Sequence, residues 1–171
     1  MTLTQFIEDS FAKEHEFLMD AVHDLTSQEL VFRAGPEANN INWLLWHIFR
    51  VEDMWIQFFI NKEAEIWERD GWNETFGLPT RDNGFEHTPQ QVTNFPTLDL
   101  KELLAYGQSL RAATLEYLRH LSPEDFEMVP RERRPEMSVG QIFRQIVGEF
   151  YQHQGHISYI KGLARSGVKS A

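Results

Sequence analysis

"INWLLWHIFRVEDMWIQFFI", from Ile41 to Ile60, is the stretch that decides the fold. Leu44, Ile48, Val51, Trp55 and Phe58 recur three or four residues apart, the spacing that places side chains on one face of an α-helix. Asn39 or Asn40 opens the run, because asparagine caps the exposed N–H groups of a helix start well. The helix then reaches about Asn61. His47 falls inside the apolar stripe, so one titratable group is carried toward the interior.

Three more segments share this period, and none of the chain reads as strand. Leu3 to Leu25 places Ile7, Phe11, Leu18 and Val22 on one stripe, with His15 on it as well. Asp99 and Glu102 resemble a capping box and open a third helix to about Leu121, with Leu103, Leu104, Tyr106, Leu110, Leu115 and Leu118 for its buried side. Ser138 and Gln141 open a fourth, which runs to about Ala164 with Gly167 as its stop. The pattern predicts an all-α, four-helix bundle forming a single domain over residues 1–171. "SPED" from Ser122 predicts a short extra turn. Between Lys62 and Leu98 the period dissolves into Gly, Pro, Asn and Asp. A connection this long is either functional or packed down by its own side chains. Trp72, Phe76 and Phe85 favour packing, as anchors, over lining a pocket. Trp43, Trp46 and Trp55 read as core and interface material.

The fourth helix poses the chemical question. Ile142, Phe143, Ile146, Phe150, Ile157 and Ile160 form its stripe, and "EFYQHQGH" sets Glu149, His153 and His156 beside it. At ~100° per residue, Glu149 lies roughly 40° and His156 roughly 60° to the same side of His153. Side chains at i and i+4 stand one above the other, so Glu149 and His153 can share one cation. A carboxylate taken out of water must be paired, protonated or bound to an ion. Two readings stay open: a Glu–His⁺ pair, or a metal site completed by His47 from the second helix. Two imidazoles and a carboxylate leave coordination positions free, as catalytic zinc does, and the set also suits Fe(II) or nickel. His15 either joins the site or sits in the core. His23, His87 and His120 read as surface residues.

Composition narrows the classes. The net charge of −10 lacks the basic face that neutralises phosphates, which argues against nucleic acid and an anionic membrane surface. The absence of cysteine excludes disulfides, thiolate metal sites and a cysteine nucleophile in this chain, and it fits a reducing cytoplasm. No basic start followed by an apolar run marks a signal peptide, and no stretch approaches the ~20 apolar residues of a membrane span. There is no glycine-rich phosphate loop and no nucleophile elbow.

Two quoted motifs point further. "NNINWLLWHIFRVEDMW" resembles the second-helix motif of the DinB/YfiT-like superfamily, with W-x-x-x-H followed by an acidic pair, here Glu52-Asp53. "EFYQHQGHISYIKGL" resembles its last helix, where a ligand position precedes a histidine by four residues. The resemblance covers essentially the whole chain. It implies a four-helix bundle, often dimeric, with a divalent metal on three side chains. Carried over by position, these are His47, Glu149 and His153. Glu149 stands where many relatives have histidine, though mycothiol-dependent maleylpyruvate isomerase also has one glutamate. His156 stands where glutamine is common and is a neighbour of the ligands. The donor set suits zinc or nickel, with iron also compatible, and the resemblance implies a divalent metal and a small-molecule substrate. Relatives include thiol-using isomerases and bacillithiol transferases, others proposed to be hydrolases. The expected activity is therefore thiol transfer, isomerisation or hydrolysis by a cytoplasmic homodimer. The alternative is a non-catalytic metal-binding or dimerisation module.

Overall fold

The described residues, 1–170 of a computed structural model, contain helices and no strand. Ala171, the end of the expected domain, lies outside them. Thr2 opens α1 (Leu3–Val22) through a reciprocal capping box with Gln5. Thr26 and Glu29 do the same for α2 (Ser27–Val31), a short helix in a stretch that reads as connector in sequence. Asn40 caps α3 (Ile41–Asp53), its side chain accepting from the Trp43 N–H at 2.8 Å. The excursion holds three short helices, α4 (Ile66–Arg69), α5 (Trp72–Phe76) and α6 (Pro89–Thr93). Asp99 caps α7 (Leu100–Arg119), a 3₁₀ turn follows at Pro123–Glu127, and Ser138 caps α8 (Val139–Arg165).

The second long helix departs from its expected face. At Met54 α3 passes into a π-helix that runs to Asn61 and stops at Lys62, which has φ 61°. The i→i+5 bonding of a π-helix holds more residues per turn, so the α-period no longer selects the inward side. Trp55 is half-buried and Phe58 exposed, while Ile56 and Gln57 point in. On α1 the inward charged residue is Glu14, 1% exposed, and His15 faces solvent. Both residues fit the spacing between Phe11 and Leu18. Arg111 on α7 selects Glu14 by pairing with it at 3.2 Å.

α8 packs against both α1 and α3, and α3 packs against α7. α1 and α7 make the loosest pairing, so the bundle has one open seam. The excursion is fastened at both ends by α3. Asp53 accepts from the N–H groups of Ile66 and Trp67 at 2.9 and 2.8 Å. Asn42 donates to the Pro96 carbonyl and accepts from the Leu98 N–H, both at 2.9 Å. Trp67 is fully buried and stacks on Phe76, which in turn stacks on Trp72. Phe85 is 76% exposed and anchors nothing. No described helix is long and apolar enough to cross a membrane.

Candidate metal centre

The seam between α3 and α8 brings His47, Glu149 and His153 together. One ligand atom from each lies within 4.8 Å of the other two. His47 is buried, and the α8 pair is half-buried. His47 and His153 meet edge to face, with ring centroids 5.2 Å apart. His156 remains exposed on α8, its Nδ1 3.3 Å from Nδ1 of His153.

Each side chain is oriented by a neighbour. The His47 Nδ1 lies 2.5 Å from the Asn83 backbone carbonyl. A carbonyl can only accept, so this contact places the proton on Nδ1 and leaves Nε2 with a free lone pair. An imidazole fixed in this way is set up as a metal ligand. Burial pushes the His47 pKa down, which keeps the ring neutral and able to coordinate. Glu149 accepts from the Gln145 amide at 2.8 Å, and its other oxygen lies 3.1 Å from His153 Nε2. The hydrogen bond with His153 lowers the Glu149 pKa and favours the carboxylate.

The excursion supplies the rest of the setting. Trp43, one turn before His47, stacks on its ring at 4.8 Å and 10°. The Trp43 indole donates to His87 Nδ1 at 3.1 Å, and His87 Nε2 donates to the Asp82 carboxylate at 3.0 Å. His87 is therefore not a surface residue, as the sequence suggests, but a link between Trp43 and the loop. Gly84 has φ +82° and presses on the same group: a Cβ there would sit 2.7 Å from Trp43 and 3.1 Å from His47 Nδ1. Arg50 ties the loop to α3 by donating to the carbonyls of Asp82 and Thr80, at 3.0 and 3.2 Å. Sequence reading leaves out Asn83, Gly84, Asp82 and Gln145. Only the Asn83-Gly84 turn signal marks that loop, and it says nothing of where the turn docks.

The DinB superfamily matches residues 11–157, a span holding all three candidate ligands. The chain belongs to the DinB superfamily. A crystal structure of a conserved protein from Enterococcus faecalis is similar to this DinB chain with a TM-score of 0.86 and 22% identity, over 97% of this chain and 99% of that one. At that identity the likeness bears on the fold alone. No curated protein matches the sequence.

The donor set fits a divalent transition metal. It offers two imidazole nitrogens and one carboxylate oxygen, and it leaves positions free for a substrate or water. His15 faces solvent on α1 and lines a different cleft. His23 and His120 are exposed, as expected.

Proposed function

We propose that this DinB-superfamily chain is a metal-dependent enzyme whose ion is held by His47, Glu149 and His153. The observation that carries this reading is His47. Its Nδ1 is committed to Asn83, and its Nε2 is left free beside the α8 pair. A divalent ion held there, zinc or nickel first and Fe(II) also compatible, would lower the pKa of a thiol or water brought to it. With no cysteine in the chain, any thiol comes from a low-molecular-weight cosubstrate. The proposed reaction is thiol transfer or isomerisation of a small molecule, with hydrolysis as the water-using variant. Glu149 supplies negative charge to the ion, Trp43 and Asn83 hold His47 in place, and the excursion covers one side.

The reading extends to a cytoplasmic homodimer. The lack of cysteine supports the compartment, and exposed Phe6, Phe17 and Tyr159 on α1 and α8 supply apolar surface of the kind dimers bury.

One observation favours a second reading, a non-catalytic binding or dimerisation module. Glu149 and His153 already satisfy each other at 3.1 Å without an ion. Elemental analysis of native protein purified without a histidine tag separates the two. The enzyme reading expects about one transition metal per chain, its loss in His153→Ala with helicity retained, and thiol-transfer or hydrolytic turnover on a substrate panel. Metal-free protein that zinc or nickel cannot load would sink the metal-dependent reading. Bound metal without thiol binding or turnover would favour the module.

A further inference from the structure

The open seam between α1 and α7 is a cleft of about 840 Å³, on the other side of the bundle from the α3–α8 seam. Its volume falls within the range of small-molecule sites, which combine an apolar lining with a few polar groups. Phe11, Leu18, Met19, Leu104 and Leu115 give it apolar walls. Phe49 from α3 helps form the floor, and Gly107 makes room for it: a Cβ on Gly107 would lie 2.5 Å from the Phe49 ring.

The cleft is also lined by Glu8, Lys101, Gln108 and Arg119, and its buried Arg111–Glu14 pair is incompletely satisfied. Arg111 is clamped between the Phe11 and Phe150 rings, with its guanidinium 4.1 and 4.5 Å from their centroids. Its donors go to Glu52 at 2.9–3.3 Å, to the Phe11 carbonyl at 3.4 Å and to Glu14 Oε2 at 3.2 Å. Two carboxylates thus share one guanidinium. Glu14 Oε1 has no hydrogen-bond partner among the described residues, although the side chain is buried and lines the cleft. An unpartnered buried acceptor is costly, and none of the described residues donates to it. A ligand donor carrying positive charge would meet both deficits.

We propose that the α1–α7 cleft is a second, metal-independent binding site for an amphipathic primary amine. Its apolar body lies against the α1 and α7 leucines, and its ammonium head donates to Glu14.

Calorimetric titration of the native, untagged protein with octylamine, octanol and octanoate tests this directly. The three probes share a chain length and differ in head group. Octylamine should bind once per chain, at least about tenfold more tightly than either of the others. Glu14→Gln should reduce octylamine to the affinity of octanol. Ala112→Trp, at an exposed position lining the cleft, should abolish binding of all three while circular dichroism stays unchanged. It provides an independent check should Glu14→Gln fold poorly. His153→Ala should bind octylamine as the wild type does, which keeps this result separate from the metal reading. Equal binding of the three probes, an unchanged preference in Glu14→Gln, or binding that survives Ala112→Trp would overturn the proposal. So would a dimer that closes the seam and takes up no octylamine.

Discussion

Two carboxylates on packed helices, Asp53 on α3 and Glu149 on α8, meet different fates. Asp53 is fully buried, and its oxygens accept from two backbone N–H groups, from the Tyr106 hydroxyl at 2.7 Å and from Arg50 at 3.3 Å. Every contact there is made by the protein, and the outcome is a fastened loop. Glu149 and His153 keep 24% and 12% of their side chains exposed, beside a His47 Nε2 that makes no hydrogen bond among the described residues. A saturated polar cluster reads as architecture, whereas one with a lone pair to spare reads as a binding site.

The largest expected effect tests the architectural half. Asp53→Ala removes the fastening of α4 and one of the two carboxylates on buried Arg50, which keeps Glu65. We expect a loss of about 3–5 kcal/mol in urea unfolding, because the Ile66 and Trp67 N–H groups and the Tyr106 hydroxyl lose their buried acceptor. His153→Ala, by contrast, should change the stability of metal-free protein by no more than about 1 kcal/mol, as for a partly exposed pair. Similar losses in the two variants would erase the distinction.

Acidity gives the next largest effect. Burial pushes Glu14 from 4.5 up to about 7 and Asp53 from 3.8 up to about 6, against the pull of Arg111 and of the Asp53 donors. A carboxyl whose folded pKa is raised stabilises the fold through its protonated form. That stability is fully present below the unfolded pKa and is lost as pH rises through the folded one. For Glu14, a rise from 4.5 to about 7 corresponds to at most about 3 kcal/mol. The midpoint of thermal unfolding should therefore fall between pH 5 and 7.5, and Glu14→Gln should flatten that slope. A wild-type slope that Glu14→Gln leaves unaltered would remove Glu14 from the account.

Gly84→Ala sharpens the site half. The left-handed backbone and the crowding against Trp43 together suggest a loss of about 1–3 kcal/mol. Because the loop holds His47, metal affinity should fall as well, read by competition with a chromophoric chelator. The smallest effect is expected from His156→Ala. Removing a group that only orients His153 should weaken metal binding by about tenfold and leave stability unchanged.

The sequence conveyed the parts of the molecule that depend on local rules. Asn40, Asp99 and Ser138 cap the helices they were expected to cap, because capping needs only a side chain two or three residues from the N–H it accepts. The stripe of α8 is buried as its period predicts, with Glu149 and His153 on its border. Wherever a choice depended on a distant partner, local spacing left it open. Glu14 and His15 fit α1 equally well, and Arg111, almost a hundred residues later, decides between them. His87 looked like a surface residue until Trp43 and Asp82 enclosed it.

By itself, then, the sequence determined the helices, their capped starts and three chemically suited side chains on two of them. Only the tertiary structure decided that those side chains converge within 4.8 Å, that Asn83 fixes the tautomer of His47, and that α1 and α7 part to leave a cleft. The reason is physical. Helical period and capping act over a few residues, whereas coordination geometry and the satisfaction of buried charge depend on groups brought together from across the chain.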